Sequence, residues 1–111
     1  MATATFIQEG SAIDYIPGAD VAAGDVVVQG DLVGITRLAI KANVLGALAV
    51  TGVFEVPKAT GVGTALGVGT IVYWDAVNIR ATTTAAGNKQ LGKVVKAAAD
   101  ADAKVRVRLA Q

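Results

Sequence analysis

In "KVRVRLA", near the C-terminus, apolar and charged positions alternate strictly. Val105, Val107 and Leu109 share one parity, and Lys104, Arg106 and Arg108 share the other. Successive strand residues point to opposite faces, so the pattern predicts a strand with one buried face and one wet, basic face. Short runs rich in Val, Ile and Thr between recurring glycines extend the same logic along the chain. The predicted strands are Thr5–Gln8, Ala12–Ile16, Asp25–Gln29, Leu32–Ile40, Ala47–Val56, Ile71–Asp75, Asn78–Thr82, Leu91–Ala97 and Lys104–Leu109. No segment sustains a 3.6-residue repeat. The alanine-rich stretch "KAAADADAK" (96–104) is too short to hold a helix alone and reads as a loop with at most one helical turn. The expected fold is all-β, a small barrel or sandwich of short, mostly antiparallel strands.

Three segments refine that picture. In "ALAVTGVFEV" (47–56), Gly52 interrupts an apolar parity and predicts a bulge or close backbone approach, with the strand covered on both sides. "VAAGDVVV" (21–28) and "LGVGTIVY" (66–73) align with glycine at the same place, each opening a strand after a tight turn. That weak repeat suggests two related β-units, the second carrying the insertion "WDAVNIRATTTAAGN". In "TIVYWDAVN" (70–78), Trp74 shares a face with Thr70 and Val72, while Tyr73 shares the other with Ile71 and Asp75. Both faces are apolar up to Asp75, so Trp74 is expected in the core and Tyr73 on a second, contacting surface.

At 111 residues the chain is long enough for one core, and residues 1–111 are taken as one domain. Hydrophobic residues reach 53% but aromatics only 5%, so the apolar content is mainly Ala and Val. Such residues suit tight interdigitation or a subunit interface better than a roomy active site. Cysteine and histidine are absent, which removes disulfides, thiolate nucleophiles, the usual zinc ligands and the commonest general base. No metal, cofactor or catalytic residue is predicted. The net charge of +1 gives no overall nucleic-acid footprint. The N-terminus shows no secretory pattern, and the longest uncharged stretch, residues 59–74, is shorter than a membrane-spanning helix and glycine-rich. A soluble protein without membrane or nucleic-acid partners is expected.

The remaining motifs are weak as chemistry. "GVGTALGVG" (61–69) lacks the Lys and the following helix of a phosphate loop, and reads as a flexible surface loop. The nine carboxylates include no calcium-loop cluster, and Asp25 and Asp31 sit after glycines at strand entries, as turn residues do. The row Lys104, Arg106, Arg108 has two readings: charge that shields an edge strand, or a contact for an acidic partner. Interleaved aromatics, as single-stranded nucleic acid requires, are missing from it.

Taken in order, "FIQEG", "AGDVVVQGDLVGI", "GVFEVPKA", "GTIVYWDA" and "KVRVRLA" resemble the capsid cement, or head decoration, proteins of tailed bacteriophages and prophages. The resemblance covers nearly the whole chain. It implies a non-enzymatic β-rich protein that binds the outside of an assembled phage head and stabilises it. The implied partner is the major capsid protein, the implied state a homo-oligomer, and the implied location the outer surface of the virion after synthesis in the host cytoplasm. Tyr73, Lys104, Arg106 and Arg108 are the candidate capsid or subunit contacts, and a flexible arm, Met1–Thr5, is expected to reach a neighbour by strand addition. "TRLAIKANVLG" (36–46) is more apolar than that family's polar loop and hints at an additional contact surface. The alternative is a small β-barrel module binding a glycan or peptide.

Overall fold

The computed structural model describes residues 3–109, and every regular element among them is a strand. In chain order these are β1 (Ala12–Tyr15), β2 (Val26–Gln29), β3 (Leu32–Thr36), β4 (Gly46–Ala49), β5 (Val53–Pro57), β6 (Ile71–Asp75), β7 (Arg80–Thr82), β8 (Lys89–Lys96) and β9 (Lys104–Leu109). They form two antiparallel sheets, of order β1-β4-β3-β2 and β5-β9-β8-β6-β7. Neither sheet closes on itself, so the arrangement is an all-β sandwich rather than a barrel.

The weak sequence repeat is a structural one. Val21 and Ile40 exchange backbone hydrogen bonds, and so do Leu66 and Ala98. Three residues after each first partner stands a glycine at positive φ, Gly24 at 86° and Gly69 at 88°, a conformation that glycine adopts without steric cost. Gly24 N–H donates to Thr36 O and Thr36 N–H to Asp25 O; Gly69 N–H donates to Val94 O and Val94 N–H to Thr70 O. The far edges agree too, with Val50 N–H donating to Ser11 O and Leu109 N–H to Gly52 O. Strands β1, β2, β3 and β4 therefore correspond to β5, β6, β8 and β9, and the two sheets share one strand order. Only β7 is extra, and it lies within the insertion.

Several predicted boundaries change. Ala47–Val56 is not one strand covered on both sides: β4 ends at Ala49 and β5 begins at Val53 in the other sheet. Gly52, at φ 114°, makes the crossover between sheets, and Val53 is left 57% exposed. Thr5–Gln8 forms no strand, because no neighbouring strand offers its backbone a ladder; residues 3–11 are exposed throughout. Of the expected arm Met1–Thr5, Met1 and Ala2 lie outside the described residues, and the exposed stretch runs on to Ser11. Leu32–Ile40 stops at Thr36, and Ile40 returns only as the single bridge to Val21. Residues 76–79 form a turn, so Asn78–Thr82 shortens to β7. Its Ile79 sits at φ 55°, rare for a β-branched residue. Residues 97–103 contain no helical turn.

One core joins the two sheets. Val33 and Ile35 of β3 pack with Val56, Val72, Trp74, Leu91, Val94, Val105, Val107 and Leu109 of the larger sheet. Burying each such side chain contributes about 1.5–3 kcal/mol. Gly34 lies where a Cβ would collide with Leu48, so its missing side chain lets Leu48 close over β3. The buried polar groups are paired. Thr36 Oγ1 donates to Ala22 O at 2.6 Å and accepts from Asp25 N–H at 3.0 Å. The Lys58 ammonium, on a residue 5% exposed, donates to Ala59 O and Asp102 O at 2.7 and 2.8 Å.

Candidate protein-binding face

Strand β9 lies between β5 and β8. The edge-shielding explanation of its basic row therefore fails, because an interior strand has no free edge to shield. Val105, Val107 and Leu109 are buried while Lys104, Arg106 and Arg108 are exposed, as the alternation predicts. The register then gathers more charge around that row. Arg108 is opposite Lys93 and Arg106 opposite Lys96 on β8; Val53, Glu55 and Pro57 of β5 flank the other side. Ile71 of β6 lies beside Lys93, and Tyr73, half-buried, lies two residues along. All four predicted contact residues thus share one open sheet face.

Lys93 and Lys96 escape a period-two reading because β8 bulges between Val94 and Lys96. An extra residue, Val95, puts the two lysines three positions apart while both stay outward. Five of the ten basic side chains of the chain lie on this face. Glu55 is the carboxylate among them, and its Oε2 is 3.9 Å from Arg106 Nε with both side chains about half-exposed. At that separation in water the pair contributes at most ~1 kcal/mol. Among the described residues no carboxylate lies within 4.0 Å of Lys93, Lys96, Lys104 or Arg108. Like charges directly across neighbouring strands repel and are destabilising. An isolated chain bears that cost, and an acidic partner surface relieves it.

The carboxylates elsewhere serve the loops. Asp100 Oδ1 accepts from the N–H groups of Thr64 and Ala65, which pins the glycine loop expected to be flexible. Asp25 accepts from Ala22 N–H, Asp102 from Ala99 N–H and Asp20 from Ala42 N–H. Asp75 accepts from the Asn78 side chain and from the Val77 and Asn78 N–H groups. Chiefly through the Asn78 amide, these bonds hold its carboxyl below the ordinary aspartate value. Asp31, joined to Lys89 Nζ at 2.6 Å across the two sheets, is lowered by that hydrogen bond and then by the lysine charge. Among the described residues no three acidic groups converge as metal ligands would. Trp74, 6% exposed, lies inside the core and offers no stacking platform.

The face is open and basic, with exposed apolar side chains at its margin (Val53, Ile71, Val95). Among the described residues no helix is long and apolar enough to cross a membrane. Neither the curated proteins nor the solved structures contain a significant match to the chain. A family model described as phage cement protein matches residues 7–109. That match spans nearly all of the sandwich and agrees with the ordered motifs, and the chain belongs to the phage cement protein family.

Proposed function

We propose that this chain is a non-enzymatic cement protein that binds the outer surface of an assembled phage head through the basic face of the larger sheet, and stabilises the shell. The observation that carries the reading is the uncompensated charge of that face on a chain of the cement family. Its partner is an acidic patch of the major capsid protein. Each site need not be strong. A ligand that binds the assembled lattice and not its free subunits shifts the equilibrium toward assembly by mass action, and the shell repeats the site many times.

The test uses undecorated heads and a chain carrying both Arg106→Glu and Arg108→Glu. Both side chains are exposed, so the core is untouched and burial of Trp74 reports that the fold survives. Binding to heads is expected to weaken at least roughly tenfold, with the wild-type interaction falling as salt rises. Equal binding by the folded double variant would show that another face makes the contact.

A further inference from the structure

A groove of about 620 Å³ opens on the smaller sheet, floored by Ala12, Ala47 and Ala49 and walled by Leu38, Val44 and Leu45. Leu38, Val44 and Leu45 are 77%, 52% and 61% exposed. The internal duplication shows that the fold does not require them. The Val44 N–H bond to Lys41 O corresponds to the Asp102 N–H bond to Ala99 O, which aligns the two loops residue by residue. Where the first unit carries Leu38, Val44 and Leu45, the second carries Lys96, Asp102 and Ala103. The floor differs likewise: the pair Ala12 and Ala49 corresponds to Val53 and Arg108. One fold position is basic in one unit, apolar and hollow in the other.

The arm supplies a matching occupant. It joins β1 at Ala12, in the groove's floor, and residues 3–11 are exposed, with Phe6 and Ile7 78% and 80% uncovered. Fully extended, these nine residues reach about 30 Å, enough to cross to an adjoining molecule. Glu9 on the arm is complementary to Arg37 and Lys41, which line the groove.

We propose that the groove takes the Phe6–Ile7 segment of a second copy of this chain, so that the protein self-associates by exchanging arms, independently of any capsid. The absence of cysteine makes the test direct. A tagged Phe6→Cys chain is mixed with an untagged Leu45→Cys chain and oxidised. The expected product is a disulfide-linked species with the mass of one tagged plus one untagged chain. In solution the wild type is expected to sediment as an oligomer, and Phe6→Asp and Leu45→Asp each weaken association roughly tenfold or more. Both substituted side chains are exposed, so folding is retained and checked by Trp74 emission. A wild type that is monomeric at about 100 µM, above the range of specific interfaces, overturns the proposal. So does an oligomer indifferent to both substitutions, or a Phe6→Cys, Leu45→Cys double variant that closes only within one chain. Loss of head binding by the Arg106 and Arg108 variant with association intact would separate this surface from the basic face.

Discussion

Trp74 and Tyr73 are adjacent in sequence and differ in environment because strand side chains alternate. Trp74 is 6% exposed and packs in the shared core; Tyr73 lies half-buried on the basic face. Their opposite parity, with Trp74 sharing a face with Val72, made this legible in sequence. Trp74→Ala is expected to cost about 3–5 kcal/mol, since no neighbour can fill an indole-sized void. Urea unfolding followed by circular dichroism measures it, and the wild-type emission should be blue-shifted relative to free indole. A loss under about 1 kcal/mol would place Trp74 outside the cooperative core. Lys58 was not legible. Nothing in "FEVPK" marks it, yet its ammonium is held by carbonyls of Ala59 and of Asp102, 44 positions downstream. Only the return of the chain beside β5 creates that site, and no local pattern encodes it.

At the level of elements, alternation located most strands but not where one sheet ends and the next begins. "ALAVTGVFEV" keeps its parity through Gly52, so a continuous strand is the local expectation; the positive φ at Gly52 instead redirects the chain to the second sheet. Thr5–Gln8 failed for the complementary reason, since strand-forming residues need a ladder partner and the chain itself supplies none. The turn after β6 and the tie between sheets depend on ionised carboxylates. Asp75 and Asp31 both sit below the ordinary aspartate value when folded. The unfolded chain therefore takes up protons first on acidification. Their contribution is complete above the unfolded value, about 3.9, and is lost as pH falls through the lower folded values. Asp31 is exposed and Asp75 partly so, and solvent screens both, so the effect is modest. Comparing urea midpoints at pH 6 and pH 3, the chain with Asp31→Asn and Asp75→Asn should lose less stability than the wild type. Identical losses would mean that neither carboxylate contributes to the acid sensitivity.

Across the whole molecule, duplication yields two equivalent sheets whose corresponding surfaces have diverged, one into a basic face and the other into an apolar groove beside an uncovered arm. Under the two proposals above, the basic face of one unit meets the shell and the groove of the other meets a second copy, so the two units divide the contacts. If arm exchange buries Phe6 and Ile7, folding and association are linked, and apparent stability must depend on protein concentration. A hundredfold increase in protomer concentration then raises the stability of an arm-exchanged dimer by roughly 1–1.5 kcal/mol per chain, equivalent to a rise in Tm of about 3–6 °C for a domain of this size. A chain lacking residues 1–9 removes both apolar side chains without touching either sheet, because β1 begins at Ala12. Its Tm should be independent of concentration and equal to the wild-type value at high dilution. Differential scanning calorimetry at two concentrations measures all four values. A concentration-dependent Tm that persists in the truncated chain would move the self-association surface from the arm to the sheets, whereas a flat wild-type Tm would leave the exposed Phe6 and Ile7 for the capsid alone.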